Sequence, residues 1–239
     1  MKASIILPTY NESGNIEELI RSIFKSRPEG WDYEVLVVDD NSPDGTFDIV
    51  RTAFAEDRNV SACLRTSDRG LAKSLLAGVE RAQGEWVVLM DSDFTHNPAD
   101  LSKMLHVARV YDIVIGSRFC PGGSMQDTRH YLMSLIYNWL IRLILRTQVQ
   151  DNLGGYLVIR ADVLQVLPWD KIFFGYGDYC FRLLHYAQKQ RRTIVEVPVH
   201  FHPRQKGDSK SCFVRLLLSY TMALIKLKLA TTRYSRPLQ

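Results

Sequence analysis

Apolar and polar residues form alternating blocks along the first half of the chain. Short, nearly all-apolar runs predict strands at Ala3–Leu7, Tyr33–Val38, Ser61–Leu64, Glu85–Met90 and Ile113–Gly116. Between them, apolar residues recur at helical spacing, which predicts helices at Asn15–Lys25, Thr46–Ala55 and Leu71–Ala82. Strands that are apolar throughout and alternate with helices are typical of a mostly parallel sheet covered by helices on both faces. The pattern therefore predicts an α/β fold.

The second half of the chain has a less regular pattern. It predicts, in order, an apolar helix, a strand, a helix, a strand and a long apolar helix, at Tyr131–Leu145, Tyr156–Ile159, Tyr179–Gln188, Thr193–His200 and Cys212–Leu229. No internal repeat, low-complexity tract or linker interrupts the sequence. We therefore predict a single domain over residues 1–239.

The composition of the chain indicates which binding partners and which cellular compartment to expect. The net charge of +4 is small, and no basic run with interleaved aromatic residues is present, so we expect no nucleic-acid partner. The cysteines Cys63, Cys120, Cys180 and Cys212 are scattered, which argues against a disulfide framework or a zinc site and favours a reducing cytosol. The first residues run directly into a strand pattern, unlike a signal peptide. We expect a cytoplasmic protein.

Acidic residues follow two of the predicted strands. Asp91 and Asp93 come directly after one, and ligands of parallel sheets bind outside the carboxyl ends of the strands. Two carboxylates there repel one another, and a hard cation such as Mg²⁺ or Mn²⁺ offsets that repulsion. The alternative is a pair of solvated turn acids that cap the next helix.

Asp39 and Asp40 end another predicted strand. A carboxylate there can accept hydrogen bonds from a base edge or a ribose hydroxyl, whereas the alternative is turn formation with the following NSPDG segment. The sequence contains neither a P-loop nor a G-x-G-x-x-G motif, which leaves ATPase and dehydrogenase functions without support.

Basic residues in glycine-containing loops form a complementary set. Arginine binds phosphate oxygens in a bidentate manner and lysine supplies a point charge, although each such residue is individually more often a solvated surface charge. The candidates are Arg118, Arg129, Arg204, Lys206 and Lys210.

Six ordered motifs together resemble the family-2 inverting glycosyltransferases of the GT-A type, and within these the dolichyl-phosphate or polyprenyl-phosphate mannosyltransferases. They are ILPTYNE (residues 6–12), VVDDNSPDGT (37–46), GLAKSLLAG (70–78), MDSDFTHNP (90–98), GSRF (116–119) and EVPVHFHPRQKGDSKS (196–211). The resemblance spans almost the whole chain. It implies a Rossmann-like GT-A domain in which residues 1–116 bind a nucleotide-diphosphate sugar and residues 117–239 bind the acceptor.

The resemblance also implies roles for individual residues. Pro8, Tyr10, Glu12, Val38 and Asp40 would hold the nucleoside, which we expect to be guanosine. Asp91 and Asp93 would coordinate Mg²⁺ or Mn²⁺ on the donor diphosphate, with Ser92 adding backbone contacts. Arg118, Arg204 and Lys210 would contact donor or acceptor phosphates, which makes Asp91, Asp93 and Arg118 the predicted catalytic residues. The acceptor side would include Arg129, Asp151, Asp178 and Arg204.

The expected reaction is transfer of mannose from GDP-mannose to a polyprenyl or dolichyl phosphate, with inversion at the sugar. A phosphate acceptor is already anionic and needs little help from a general base. The alternative is a family-2 enzyme that uses another nucleotide sugar and a soluble acceptor. A neutral hydroxyl acceptor would need a base, for which Asp151 and Asp178 are the candidates. A third hypothesis, a regulatory nucleotide-binding protein with a degenerate site, conflicts with the intact DSD motif.

The two apolar helices, Tyr131–Leu145 and Cys212–Leu229, bear on membrane association. Both are too short or too interrupted by charge to span a bilayer, but either can lie in the plane of its surface. The alternative is that they pack on the domain or on a second subunit of a homo-oligomer. A lipid-phosphate acceptor favours peripheral association with the cytoplasmic face of a membrane.

Overall fold

The computed structural model describes residues 1–206 and 213–233 of the 239-residue chain. The strands of its main sheet are β1 Lys2–Thr9, β2 Asp32–Asp39, β3 Val60–Leu64, β4 Trp86–Leu89, β5 Ile113–Ser117, β7 Leu157–Arg160 and β8 Ile194–Pro198. They are arranged in the order β3-β2-β1-β4-β7-β5-β8. Every pairing in this sheet is parallel except those of β7, which runs antiparallel to β4 and β5. A separate two-stranded ribbon pairs β6 Ser124–Met125 with β9 His200–Phe201.

Helices cover both faces of the sheet, because successive side chains of each strand point to opposite faces. The helices are α1 Ile16–Lys25, α2 Thr46–Ala53, α3 Leu71–Val79, α4 Asp100–Ala108, α5 Thr128–Leu145, α6 Ala161–Gln165, α7 Trp169–Ile172, α8 Tyr179–Lys189 and α9 Phe213–Arg233. Ile5 and Leu7 of β1 pack in the core that includes α1, α2 and α4, whereas Ile6 packs in the core that includes α3, α6, α7 and α8. At Gly78 of α3 an added Cβ would lie 2.4 Å from a methyl carbon of Ile6, so this helix approaches the sheet more closely than alanine permits.

The predicted mostly parallel α/β fold is confirmed, with differences in individual elements. The run predicted as one strand, Thr193–His200, divides between two sheets: β8 ends at Pro198, and His200 then pairs with Ser124 of the ribbon. Helix α5 begins at Thr128, before the predicted start, because the Asp127 side chain caps its first turn. Helix α4 was not predicted, although its buried residues have helical spacing: Leu101, Met104, Leu105 and Ala108.

Helices α5 and α9 pack on each other and on α8 in a third apolar cluster. Tyr137 and Ile141 of α5 meet Leu224 and Leu227 of α9 there, with Phe181 of α8. No helix in the described part of the chain combines the length and the apolar character that crossing a bilayer requires.

Candidate active site

A cleft of about 730 Å³ opens at the edge of the sheet where β1, β2 and β4 end. Because these strands are parallel, the loops after them meet at one edge, as expected for ligand sites in such sheets. The cleft brings together most of the predicted nucleotide-sugar and metal residues: Pro8, Tyr10, Glu12, Asp40, Asp91, Ser92, Asp93 and Arg204. Its other lining residues are Thr9, Arg69, Gly70, Leu71, Ser74, Leu153, Gly154, Gly155, Tyr176, Gly177, Tyr179 and Tyr220.

The DSD turn is fixed by hydrogen bonds on each of its residues. The Asp91 amide donates to Nδ1 of His96 across 2.9 Å, and the Ser92 hydroxyl donates to the Pro8 carbonyl across 2.8 Å. Oδ1 of Asp93 accepts from the Thr95 amide at 3.0 Å. The turn therefore sits against β1 with both carboxylates at the cleft.

His96 is a positioning residue that the sequence analysis did not single out, although it lies within the MDSDFTHNP motif. It is fully buried, stacks on Tyr156 at 4.7 Å, and its Nε2 lies 2.9 Å from the Gly154 carbonyl oxygen. Since Nδ1 accepts from Asp91, Nε2 carries the proton and donates to Gly154. One imidazole thus joins the acidic turn after β4 to the glycine loop before β7.

The donor groups at the DSD turn fit a divalent cation. Although the Asp91 side chain keeps 44% of its surface accessible at the cleft, desolvation by the surrounding walls raises its pKa above the ordinary range. The charge of Asp93 acts in the same direction, and His96 acts against it. Among the described residues no group of three or more His, Cys, Asp or Glu could hold a metal. Mg²⁺ and Mn²⁺ held by one or two carboxylates take their other ligands from water and substrate phosphates. A metal at Asp91 and Asp93 is compatible with this chemistry and stays a prediction.

Arg204 bridges two acids at this end of the cleft. Its Nη1 lies 3.2 Å from Oδ2 of Asp93, and its Nη2 pairs with the buried carboxylate of Glu12. Glu12 also accepts a hydrogen bond from Nδ2 of Asn15 at 2.9 Å. The side chain of Lys206 donates to the Gly14 carbonyl at 3.0 Å. The segment of residues 204–206 is thereby attached to the loop after β1, and Lys210 lies outside the described residues.

Asp40 holds the far wall of the cleft in place. One carboxylate oxygen accepts from Arg65 and from the Ser74 hydroxyl, each at 2.7 Å, and the other accepts from the Gly70 amide at 2.6 Å. Although Asp40 lines the cleft, as expected for a nucleoside contact, these bonds already engage both of its oxygens. Its observed contacts organise the segment of residues 65–74, and a contact of Asp40 with the nucleoside stays a prediction.

The structure does not place Arg118 and Asp151 in the cleft. The guanidinium of Arg118 donates to both oxygens of Asp151, across 2.8 and 2.7 Å, and both side chains are buried. Although burial opposes it, the Asp151 charge raises the pKa of Arg118 above its ordinary value. The groups that were expected to contact phosphate and to supply a base thus form a buried ion pair behind the cleft wall. The two functional roles stay predictions.

Three further predicted residues also lie away from the cleft lining. The side chain of Val38 is buried in the core beside α3, so it offers a ligand only backbone atoms. Asp178 pairs with buried Arg182 and accepts from the Tyr176 amide at 2.8 Å, which shapes the cleft wall from behind. Arg129 is exposed in the first turn of α5. Val38 and Asp178 lie away from the cleft lining because they pack or pair with buried residues. Arg129 lies away from it because α5 begins at Thr128 and so includes it.

The fold and the cleft define an α/β enzyme of the nucleotide-sugar-binding GT-A type, and comparison with known proteins identifies its family. Residues 4–167 match Glycosyl transferase family 2, and the chain belongs to that family. The prediction of a glycosyltransferase is therefore confirmed.

Named relatives resemble most of the chain. The undecaprenyl-phosphate mannosyltransferase of Micrococcus luteus is 38% identical over 220 residues, which cover 88% of this chain and 87% of the relative. The dolichol-phosphate mannosyltransferase of Pyrococcus furiosus is 32% identical over 216 residues, which cover 88% of this chain and 59% of the relative.

A solved structure supports the fold. Glucosyl-3-phosphoglycerate synthase from Mycobacterium tuberculosis, in complex with Mn²⁺, UDP and glucosyl-3-phosphoglycerate, matches with a TM-score of 0.71. The match covers 96% of this chain and 79% of that chain at 19% identity. At this identity the likeness concerns the architecture alone.

Proposed function

We propose that this enzyme transfers mannose from GDP-mannose to a polyprenyl phosphate, with Mg²⁺ or Mn²⁺ at Asp91 and Asp93. Both named relatives are polyprenyl- or dolichol-phosphate mannosyltransferases. The observation that carries the proposal is the set of residues at the end of the cleft formed by the glycine loop before β7 and the tyrosines opposite it, where the acceptor would enter. The described residues there are Leu153, Gly154, Gly155, Tyr176, Gly177, Tyr179 and Tyr220, which include no carboxylate and no histidine. An acceptor that is already anionic needs no general base, whereas a sugar or lipid hydroxyl does.

The order of strands supports one orientation of the donor in the cleft. Strand β1 lies between β2 and β4, so Tyr10 lies between Asp40 on one side and Asp91 on the other. A diphosphate near the DSD turn places the nucleoside toward β2 and the sugar toward the glycine loop before β7. The sugar carbon then faces the tyrosine-lined end of the cleft, where the acceptor would enter.

Charge neutralisation and positioning are the main contributions of the protein to this reaction. A bound Mg²⁺ or Mn²⁺ would neutralise the leaving diphosphate; the Mycobacterium tuberculosis enzyme of the same fold was solved with Mn²⁺. Arg204 supplies a second positive charge next to Asp93. A phosphate oxygen of the acceptor attacks the anomeric carbon from the face opposite the diphosphate, the bond to the diphosphate breaks, and the configuration inverts. GDP and a polyprenyl phosphomannose are the products.

Helices α5 and α9 support an acceptor that resides in a membrane. Tyr220 of α9 lines the cleft, while other residues of the same helix are exposed and apolar. Among the large apolar residues that each helix exposes, some are spaced so that they share one face: Leu132, Ile136, Trp139 and Leu143 on α5, and Leu218, Met222, Ile225 and Leu229 on α9. Arg142 and Lys226 lie within these two stretches. Exposed apolar faces with basic residues and a tryptophan are typical of helices that bind anionic membrane surfaces.

The direct test is transfer of radiolabelled mannose from GDP-mannose to undecaprenyl phosphate in detergent, with 3-phosphoglycerate as the soluble acceptor. We expect product with the lipid only, no product in excess EDTA, and no product with Asp91→Asn. Equal transfer to the soluble acceptor, or full activity in EDTA, would contradict the proposal.

Membrane association is tested separately by flotation with vesicles that contain phosphatidylglycerol. We expect Trp139→Ser and Lys226→Gln to reduce binding, with Val110→Ser as the control for an exposed apolar residue away from both helices. Concentration-dependent dimerisation without vesicle binding would instead assign the apolar faces to a second subunit.

A further inference from the structure

Arg69 occupies the nucleoside end of the cleft and was not identified from the sequence. Its guanidinium carbon lies 5.0 Å from the centroid of the Tyr10 ring, and both residues line the cleft. The side chain is exposed, and within the described part of the chain it forms no ion pair or hydrogen bond with another residue. Its N–H groups are therefore available to a ligand that enters beside Tyr10.

The backbone around Arg69 is held in place by Asp40. The next residue, Gly70, donates its amide to Asp40 at 2.6 Å and adopts a φ of +138°, a conformation that favours glycine. Arg65 binds Asp40 at 2.7 Å and also donates to the carbonyl of Asp68, directly before Arg69. Both neighbours of Arg69 are thus anchored, which limits where its side chain can reach.

We propose that Arg69 recognises the base of the donor nucleotide, by donating two hydrogen bonds to O6 and N7 of guanine. The inference rests on the proposed function, because it takes the donor to be a guanosine diphosphate sugar. A guanidinium matches the two adjacent acceptors of guanine, whereas adenine presents an amino group at position 6 and uracil lacks the pair. The guanidinium lies over the Tyr10 ring, a cation–π contact that holds it at this end of the cleft.

Binding of three nucleotides tests the inference: GDP, 7-deaza-GDP (which lacks the N7 acceptor) and UDP, each measured by titration calorimetry with Mn²⁺. For the wild-type protein we expect 7-deaza-GDP to bind about tenfold more weakly than GDP, the effect of losing one of two base contacts. Arg69→Gln should weaken GDP binding by about tenfold or more, should no longer distinguish GDP from 7-deaza-GDP, and should leave UDP binding within about twofold. Arg81→Gln, which removes the charge of an exposed arginine just beyond α3, should change none of these affinities.

The outcomes separate this inference from the donor assignment. Equal weakening of all three nucleotides by Arg69→Gln would show a general charge effect or a phosphate contact, and would overturn the inference. A GDP preference that persists unchanged in Arg69→Gln would also overturn it, while the guanosine donor stands. A wild-type preference for UDP would overturn the donor assignment and this inference with it. An unchanged thermal midpoint of Arg69→Gln confirms that the fold is retained.

Discussion

Arg204 and Asp93 lie 111 positions apart in the chain, yet the guanidinium of one is 3.2 Å from the carboxylate of the other. Asp93 is one of the two carboxylates that we propose as metal ligands, and the same guanidinium also pairs with Glu12. A cation of the protein therefore already compensates Asp93, one of the two acids at which a metal would bind. Without a nucleotide, Arg204 and a metal ion would compete for the negative charge of Asp93. With a diphosphate bound, both positive charges would attract its oxygens.

Replacement of Arg204 by Gln should consequently have opposite effects on two affinities. We expect Mn²⁺ alone to bind about tenfold more tightly, because Asp93 and Glu12 lose their counter-charge, and GDP with Mn²⁺ to bind about tenfold more weakly. Free Mn²⁺ measured by electron paramagnetic resonance gives the first value, and calorimetry gives the second. Arg160→Gln is the control, since Arg160 pairs with Asp112 and Asp162 beside the strand ends opposite the cleft. If Arg204→Gln left the Mn²⁺ affinity unchanged, the ion pair of Arg204 with Asp93 would have no effect on the metal site.

The buried pair of Arg118 and Asp151 should contribute mainly to stability. Removal of either partner leaves an uncompensated buried charge, so Arg118→Ala and Asp151→Ala should each lower the free energy of unfolding by about 3–5 kcal/mol. The double variant should lose clearly less than the sum of the two, because neither charge is then left alone. Urea unfolding of the four proteins measures this coupling. If Arg118→Ala instead retained full stability and lost donor or acceptor binding, the direct phosphate contact expected from the sequence would be supported.

A substitution at Tyr220 should compensate for the loss of stability caused by a substitution at Gly177. A Cβ at residue 177 would lie 2.5 Å from the Tyr220 hydroxyl oxygen but 3.6 Å from the ring carbon that carries it. Gly177→Ala should therefore destabilise the contact between α9 and the cleft wall, by about 1–3 kcal/mol, as overpacking does. Adding Tyr220→Phe removes the clashing atom and should restore most of the loss. Thermal midpoints and mannose transfer of both variants check this, and a double variant worse than Gly177→Ala would refute the geometry.

His185 should make stability depend on pH. Burial, with the nearby charges of Lys189 and Lys228, lowers the pKa of His185 from its ordinary value of 6.5 to about 4. The unfolded chain then binds a proton more readily than the native protein, so this residue reduces stability as the pH falls from about 6.5 to about 4. The loss should total roughly 3 kcal/mol at 1.4 kcal/mol for each pH unit. Urea unfolding across this range should show a flatter profile for His185→Gln, and parallel profiles would contradict the prediction.

Much of the fold was predictable because its signals are local. The apolar runs of β1, β2 and β4 and the helical spacing in α1 reflect which faces are buried, and each can be seen within about ten residues. The parallel arrangement then follows from the alternation of strands and helices. The division of Thr193–His200 between two sheets was not predictable in this way, since the pairing of His200 with Ser124 depends on a distant segment.

The candidate site was predictable to the extent that it consists of strand ends. Parallel strands place their carboxyl ends at one edge, so Tyr10, Asp40 and Asp91 were expected together, and the cleft brings them together. The ion-pair partner of each charged residue was not predictable from the sequence. Nothing near Arg118 in the sequence indicates that its guanidinium is bound by Asp151, which is 33 positions away.

The sequence by itself thus determined the family, the helices and strands, and the edge of the sheet at which ligands bind. Motifs and periodicity depend only on residues that are close together in the chain. The tertiary structure decided which charged groups pair with one another and which face the cleft without such a partner among the described residues. Asp40 is engaged by Arg65, Ser74 and Gly70, whereas Arg69 faces the cleft beside Tyr10. The reason is physical: an ion pair or a hydrogen bond forms between side chains that folding brings within about 3 Å, and separation along the chain does not report that distance.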